Sequence, residues 1–340
     1  MTRRISLGVL AVLAAVTLGC RHPVVDAAVR SNPRPRPDAA PAPGDNWPLP
    51  PAEAERLLSR ARIKLVSIEP TAHGVAGAYK GEVAFPEYGR RAPVKWKVVP
   101  DDLDGWNNNP RKELAAYAVQ RWFLAPRDYV VPTVVLRCVP VAEYRRLEPK
   151  ATATIDGTTC VLGTLSLWLR SVEVPDVLYE PERFAADSAY AYHLANFNVF
   201  AYLVEHRDGR PGNILVATDD RDRRVFAVDN GISFGGLIHN FLTTNWDVIR
   251  VPAIPLEAVA RLRTVDRRTL ESLATLVDLR ADARGILRPS RLGAPLDRER
   301  GVRVAAGRVQ MGLTTEEIDA LARRIASLLE QVDEGAVGVF

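Results

Sequence analysis

Apolar residues along this chain fall into several short runs and one long run, and their spacing predicts a mixture of strands and helices. The short apolar runs predict strands at 63–68, 82–85, 93–99, 131–136 and 159–165. The longest run, 184–204, contains no proline or glycine and is apolar around much of its circumference. It predicts a buried helix, with Asp187 as a candidate cap.

Two more strands are predicted at 214–217 and 225–228, on either side of a charged turn at 219–224. This pattern indicates a hairpin with a solvated tip. Between the early strands, Asn109 is a favourable N-cap and a proline follows it at the first helical position. A helix is therefore predicted at 110–123.

The last part of the chain, from Trp246 onward, is predicted to be mainly helical. Thr314 and Glu317 have the spacing of a capping box, in which each side chain bonds the other residue's backbone N–H. This pair predicts a final amphipathic helix that continues to about Val332.

Composition and charge exclude some classes of function. The chain has 340 residues and a formal net charge of +4, with acidic and basic residues interspersed. It has no basic arm and no aromatic-basic stripe, so we do not expect nucleic-acid binding. Its three cysteines and five histidines are scattered and form no structural zinc pattern.

Residues 1–20 resemble a bacterial lipoprotein signal peptide. Two arginines precede an apolar stretch at 5–18, which is too short to span a bilayer comfortably, and Cys20 is the residue to be lipidated. Thr17 stands where such signals carry a leucine, so plain secretion and an uncleaved anchor remain alternatives. Residues 21–51 are rich in proline, alanine and arginine and predict an extended tether.

One constellation of polar residues carries chemistry. Asp208 follows a His-Arg pair, Asn213 comes five residues later, and an apolar strand then ends in Asp229-Asn230-Gly231. This order and spacing resemble the catalytic loop and metal-binding motif of protein kinases. The resemblance implies that Asp208 orients the attacking hydroxyl and accepts its proton. It also implies that Asn213 and Asp229 bind the divalent ions that bridge the phosphates of ATP.

The motif departs from most protein kinases at Asn230, which replaces the usual phenylalanine. In this respect it is similar to atypical kinases, notably the secretory-pathway kinases of the Golgi casein kinase type. No Ala-Pro-Glu follows within about fifty residues of Gly231. A standard activation segment and a standard peptide groove are therefore not expected.

The resemblance covers roughly 63–236 and implies a lysine that contacts phosphates on the third predicted strand. Lys97 matches the last position of the kinase V-A-I-K pattern, and Lys95, on the same face of the strand, remains an alternative. Glu113, on the next helix, is expected to pair with that lysine. Its other interpretation is a favourable interaction with the helix dipole.

Gly77 and Gly81 lie between the first two predicted strands, where kinases carry a glycine-rich loop. Backbone N–H groups of such a loop can cover the phosphates of a nucleotide. The spacing G-x-x-G-x-x-x-G differs from the kinase pattern, and an ordinary hairpin turn is the alternative.

The resemblance implies an α+β, bilobal, protein-kinase-like fold. Residues 52–165 would form an N-lobe of antiparallel sheet and one helix, and residues 166–340 a mostly helical C-lobe. Cys138 and Cys160 lie in or beside predicted N-lobe strands. A disulfide between them is expected in an oxidising compartment, and two buried thiols are the alternative.

The function expected from these patterns is an exported phosphotransferase anchored to a membrane through lipid. ATP and Mg²⁺ or Mn²⁺ are the expected cofactors, and the acceptor is the hydroxyl of a protein, a glycan or a lipid. The first alternative is a non-catalytic, kinase-like lipoprotein (a pseudokinase) that serves as a binding or scaffold module. The second is a transferase of another kind at the same site, such as a nucleotidyl transferase.

Overall fold

The computed structural model describes residues 46–71, 77–105, 108–210, 212–235 and 245–340. The predicted signal peptide, Cys20 and most of the predicted tether lie outside these residues. No helix within the described part of the chain is long and apolar enough to cross a membrane.

The first part of the fold is one antiparallel sheet with helices beside it. Its five strands occur in the spatial order β1-β2-β3-β5-β4, and every neighbouring pair is antiparallel. The strands are β1 (Lys64–Pro70), β2 (Ala78–Phe85), β3 (Arg90–Val98), β4 (Val134–Pro140) and β5 (Cys160–Leu167). The helices of this part are α1 (Pro51–Arg60), α2 (Pro110–Phe123) and α3 (Val141–Tyr144).

Helix α2 begins and ends where the sequence predicts it. The side chain of Asn109 accepts a hydrogen bond from the backbone N–H of Lys112, as an N-cap does, and Pro110 is the first helical residue. Almost the whole circumference of α2 is buried, including three consecutive charged residues, Arg111, Lys112 and Glu113. Burial of charged side chains requires partners, and these partners determine where the helix lies.

A disulfide joins the two cysteines of the five-stranded sheet. Cys138 on β4 and Cys160 on β5 are bonded to each other, which links two neighbouring strands of the sheet covalently. The backbone N–H of Leu287 also donates to the sulfur of Cys160. The disulfide therefore lies where the later part of the chain packs against the five-stranded sheet.

The second part of the fold contains a buried central helix and a small sheet. The predicted helix at 184–204 is two helices, α4 (Pro181–Ala186) and α5 (Ser188–Leu203). They are separated by Asp187, which caps α5 by accepting from the backbone N–H of Tyr190. The sheet consists of β6 (Val172–Glu173), β7 (Ile214–Ala217) and β8 (Val225–Ala227). Its β7–β8 hairpin matches the predicted one.

The region after Trp246 is not mainly helical, and this prediction was wrong. A four-stranded antiparallel sheet in the order β11-β10-β13-β12 lies there, and a short parallel pair joins β9 to β14. The strands are β9 (Ala253–Ile254), β10 (Val277–Ala281), β11 (Leu287–Pro289), β12 (Val302–Ala305), β13 (Arg308–Met311) and β14 (Gly338–Val339). The helices of this region are α6 (Leu256–Leu262), α7 (Arg267–Glu271) and α8 (Thr315–Asp333).

The sequence of this sheet does contain a strand pattern. Apolar and polar residues alternate along 277–281 and 302–305 with the two-residue period of a strand, although burial does not follow the apolar positions: Asp278 and Arg303 are buried and Val304 is exposed. Helix α8 follows as predicted, and Thr314 and Glu317 form the capping box. The α+β, two-part fold class is confirmed, with more strand in the second part than expected.

The end of the predicted tether belongs to the folded unit, which corrects the boundary at residue 51. The side chain of Asn46 donates two hydrogen bonds of 3.0 Å to the carbonyls of Arg170 and Ser171. Trp47 is only 4% exposed and packs edge-on against the ring of Phe226 at 5.5 Å. The proline-rich composition of this segment predicted a tether, although Trp47 within it is part of the core.

We expect the change Trp47→Ala to lower the free energy of unfolding by about 3 kcal/mol, because a buried tryptophan leaves a large cavity when it is truncated. Urea unfolding of the fragment that begins at residue 46 measures this. Tyr88→Ala, at an exposed aromatic residue, is the control and should change the stability by less than about 1 kcal/mol. Equal stability of the two variants would show that residues 46–51 do not belong to the core.

Candidate active site

The predicted catalytic loop lies between α5 and β7. Its backbone is fixed at the start, where the N–H of His206 donates to the carbonyl of Ala201 at 2.9 Å. Glu205, directly before it, has φ of 56°, in the left-handed region that residues other than glycine rarely adopt. Such strained residues cluster at functional sites. The sharp turn ends α5 and directs the chain towards Asp208.

Asp208 is buried, and its carboxylate is bound by Arg210. The Nε and Nη2 atoms of Arg210 each lie 2.5 Å from one carboxylate oxygen, which is a bidentate ion pair. The sequence prediction did not include Arg210. The only available indication was its position two residues after the predicted catalytic aspartate.

Asn213 closes the loop around Asp208. Its backbone N–H donates to the carbonyl of Arg210 at 3.0 Å, and its side-chain Nδ2 donates to the carbonyl of Asp208 at 3.3 Å. Its own carbonyl accepts from the N–H of Val228 at 2.8 Å. That last bond connects the catalytic loop to the residue that precedes Asp229. The two halves of the predicted motif are thus hydrogen-bonded neighbours.

The carboxylate of Asp229 forms ion pairs with two lysines of the five-stranded sheet. Its Oδ1 lies 2.8 Å from the Nζ of Lys97 and 3.5 Å from the Nζ of Lys95. Both lysines are on β3, and alternation along a strand places them on the same face. Asp229 has φ of 62°, so its backbone is in the left-handed region. The structure therefore brings the predicted lysine and the predicted metal ligand together across the two parts of the fold.

Glu113 does not form the predicted ion pair with Lys97. Both residues are described, and the nearest carboxylate partner of Lys97 is Asp229. The Oε2 of Glu113 instead accepts a hydrogen bond of 3.0 Å from the backbone N–H of Asn230. The chain turns at Asp229, so that the carboxylate of Asp229 lies beside Lys97 and the backbone N–H of Asn230 lies beside Glu113. Glu113 therefore bonds this N–H and not Lys97.

The carboxyl groups of Glu113 and Asp229 are close enough to influence each other's pKa. Burial raises the pKa of Glu113, although Lys95 acts against this. Burial alone would also raise the pKa of Asp229, but the charges of Lys95 and Lys97 outweigh it and keep this pKa well below its usual range. The two carboxyl groups are therefore shifted in opposite directions, the pKa of Glu113 upward and that of Asp229 downward.

Asn230, which replaces the usual phenylalanine, is almost fully buried beneath this cluster. Its Nδ2 donates to the carbonyl of Ala227 at 3.4 Å, and its backbone N–H is the donor to Glu113. The amide at this position thus stabilises the turn after β8. A phenylalanine ring could not make the bond to Ala227.

The predicted glycine loop is only partly described, because residues 72–76 lie outside the described residues. Gly77 has φ of 64° and no neighbour within 4 Å of an added Cβ, as expected in a turn before β2. Gly81 is inside β2 and not in a loop, which corrects its predicted role. A Cβ on Gly81 would lie 2.5 Å from the carbonyl oxygen of Ser67, so this glycine permits close contact between β1 and β2.

His206 is buried, and neither ring nitrogen has a hydrogen-bond partner among the described residues. Burial lowers its pKa, although the charge of Asp208 acts in the opposite direction. A neutral imidazole packs here beside the catalytic loop. It supports the loop sterically and makes no hydrogen bond to Asp208.

Helix α2 is attached to the second part of the fold through its charged first turn. The guanidinium of Arg111 binds both Asp104 and the capping-box residue Glu317 of α8. The Nζ of Lys112 lies 3.8 Å from Glu317 and donates to the carbonyl of Phe234 at 3.3 Å. These contacts explain why three charged residues of α2 are buried and why Glu113 points at the turn after Asp229.

Within the described part of the chain, no group of three His, Cys, Asp or Glu side chains could hold a metal ion. A magnesium ion at a nucleotide commonly takes one or two protein carboxylates, and phosphates and water supply the other ligands. Asp229 and the side-chain oxygen of Asn213 offer such a partial set of hard oxygen ligands. They fit a divalent cation that arrives with a nucleotide.

No model of a known protein family matches the chain, and no curated protein matches it. A crystal structure of the Golgi casein kinase is similar, with 13% identity and a TM-score of 0.47, over 84% of this chain and 74% of that chain. A crystal structure of the Golgi casein kinase with Mn/ADP bound has 13% identity and a TM-score of 0.46, over 84% and 75%. With so little identity, the functional assignment must come from the site of this chain itself.

We expect the change Asp229→Ala to lower the free energy of unfolding by about 3 kcal/mol, because it leaves two lysines of the interior without their carboxylate. Chemical denaturation without nucleotide measures this. Asp156→Ala, at an exposed turn residue, is the matched control and should leave the stability nearly unchanged. Equal free energies of unfolding for Asp229→Ala and Asp156→Ala would show that the ion pairs of Asp229 with the two lysines do not stabilise the fold.

Proposed function

We propose that the protein is an exported, membrane-tethered, ATP-dependent, kinase-like phosphotransferase that acts on a hydroxyl group of a protein, a glycan or a lipid. The observation that carries this proposal is the contact of Lys97 with Asp229. In this contact the lysine that we propose binds phosphate meets the carboxylate that we propose binds metal, beside the Asp208–Asn213 loop. These are the groups that phosphoryl transfer requires, in the order in which kinases carry them.

In the proposed binding mode, Lys97 contacts the phosphates of ATP, and the backbone at Gly77 borders them. Asp229 and the side-chain oxygen of Asn213 hold Mg²⁺ or Mn²⁺. The bound cation would supply charge neutralisation for the phosphate oxygens. Glu113 keeps the turn at Asp229 in position through the hydrogen bond that it accepts from the N–H of Asn230.

In the proposed reaction, Asp208 orients the acceptor hydroxyl and takes its proton. The hydroxyl oxygen forms a new bond to the terminal phosphorus of ATP, the bond from that phosphorus to the bridging oxygen breaks, and ADP leaves with the electron pair. Arg210 lies against Asp208 with its guanidinium partly in solvent. Its positive charge beside the transferred group would stabilise the negative charge there.

The proposed location depends on the N-terminal sequence, which lies outside the described residues. A lipidated Cys20 and the proline-rich segment after it would tether the folded unit to a membrane, at the periplasmic or cell-surface face. The disulfide between Cys138 and Cys160 supports export, because such bonds persist mainly in oxidising compartments.

One observation favours the alternative of a non-catalytic binding module. Both carboxylates of the site are engaged in ion pairs, Asp208 with Arg210 and Asp229 with two lysines. A scaffold could use these pairs for stability alone. The two functions differ in whether ATP is turned over.

We expect Asp208→Asn to reduce ADP formation from ATP and Mn²⁺ by about 100-fold or more, because it removes the general base. Its affinity for the nucleotide should stay within about threefold of wild type, since Asp208 is not among the proposed nucleotide ligands. A coupled assay of ADP measures the first quantity, and calorimetry measures the second. Asp156→Asn is the control.

The contradicting result is equally specific. If the wild-type protein binds ATP but forms ADP no faster than a protein-free control, across water and the candidate protein, glycan and lipid acceptors, the binding-module alternative is correct. If ADP forms faster than that control and at the same rate in both proteins, Asp208 is not the general base.

A further inference from the structure

The two lysines on β3 share a single carboxylate oxygen. The Nζ atoms of Lys97 and Lys95 lie 2.8 Å and 3.5 Å from the same Oδ1 of Asp229. The other carboxyl group that faces them, that of Glu113, is hydrogen-bonded to the backbone N–H of Asn230. The shorter contact, that of Lys97, is also a hydrogen bond, and the longer contact of Lys95 is an ion pair.

The two lysines also differ in access to solvent. The side chain of Lys97 is 1% exposed, whereas that of Lys95 is 20% exposed. A ligand that enters from solvent can reach Lys95 without displacing the inner ion pair. Lys97 can bind a ligand only after its ion pair with Asp229 is broken.

A third lysine lies on the same face of the sheet. Lys80 on β2 is directly opposite Lys95 in the β2–β3 ladder. Like charges in this arrangement destabilise a sheet unless something compensates for them. The ammonium of Lys80 lies over the ring of Trp168, at 5.2 Å from its centroid. Glu69 on β1 is directly opposite Lys80 on its other side, so Lys80 has an acidic cross-strand neighbour, whereas Lys95 and Lys97 share the carboxylate of Asp229.

This charge pattern leads to an inference that rests on the function proposed above. If Asp229 binds a divalent cation, both of its lysines need a new anionic partner. We propose that Lys95 is a second phosphate-binding residue beside Lys97, and that the site takes a ligand with a polyphosphate chain. Two ammonium groups that already converge on one carboxylate oxygen suit the closely spaced anionic oxygens of such a chain.

A purely structural role for Lys95 makes a different prediction. If Lys95 only helped to neutralise Asp229, its removal would change the unfolding temperature and leave phosphate affinity unchanged. If it binds phosphate, its removal weakens the binding of every polyphosphate ligand. The loss would then be the same with and without a nucleoside on the ligand.

The test is calorimetric titration of the fragment from residue 46 with two probes, Mg-ATP and Mg-tripolyphosphate. The variants are Lys95→Met, Lys95→Arg and the control Lys64→Met, an exposed lysine at the start of β1. Loss of a charge-assisted hydrogen bond corresponds to at least about tenfold weaker binding. We expect Lys95→Met to lose this factor for both probes, Lys95→Arg to recover most of it, and Lys64→Met to match wild type.

Thermal unfolding of each variant shows whether it is folded, and Lys95→Gln replaces Lys95→Met if the latter is not. Wild-type affinity of Lys95→Met for both probes would overturn the assignment of Lys95 and leave the proposed phosphotransferase intact. Failure of the wild-type protein to bind either probe would overturn the proposed function, and the assignment of Lys95 with it.

Discussion

The structure of the candidate site depends on one ion pair, between Lys97 on the third strand and Asp229 at the end of β8. It joins the five-stranded sheet to the catalytic-loop region through two groups that are costly to bury unless they are paired. The left-handed backbone at Asp229 directs its carboxylate to the sheet and the next N–H to Glu113. In the proposed binding mode a nucleotide and its cation replace this pair, so the contact that organises the site without a ligand would also mark the place of the ligand.

The surrounding elements restrict how far this site can move. Helix α2 is bound to the start of α8 through Arg111 and Glu317, and Lys112 of the same helix reaches the segment after Asp229. The catalytic loop is hydrogen-bonded to that segment through Asn213. Helix, loop and strand are therefore connected by polar contacts that are mostly shielded from solvent, where they are stronger than on a surface. An arrangement of this kind keeps several functional groups in fixed relative positions, which catalysis by positioning requires.

The sequence predicted the centre of the site better than its surroundings. The spacing of Asp208, Asn213 and Asp229 and the cap at Asn109 are local features, and local features can be found from short segments. The partner of Glu113 depends on how two distant segments meet, and no short pattern encodes that. The ion pair of Arg210 with Asp208 was not predicted, because it depends on the conformation of the Arg210 side chain. The four-stranded sheet after Trp246 was missed because its strands are short and arginine-rich, although their alternation is visible in hindsight.

In the proposed binding mode Asp229 and Asn213 hold a cation at a nucleotide next to Lys97. Anomalous diffraction from crystals of the protein grown with Mn²⁺ and ADP is the decisive measurement of this arrangement. We predict a manganese peak within bonding distance of the Asp229 carboxylate and the Asn213 side-chain oxygen, with the ammonium of Lys97 on a phosphate. Crystals that contain ADP and manganese elsewhere, or neither, with Lys97 still bound to Asp229, would contradict the account.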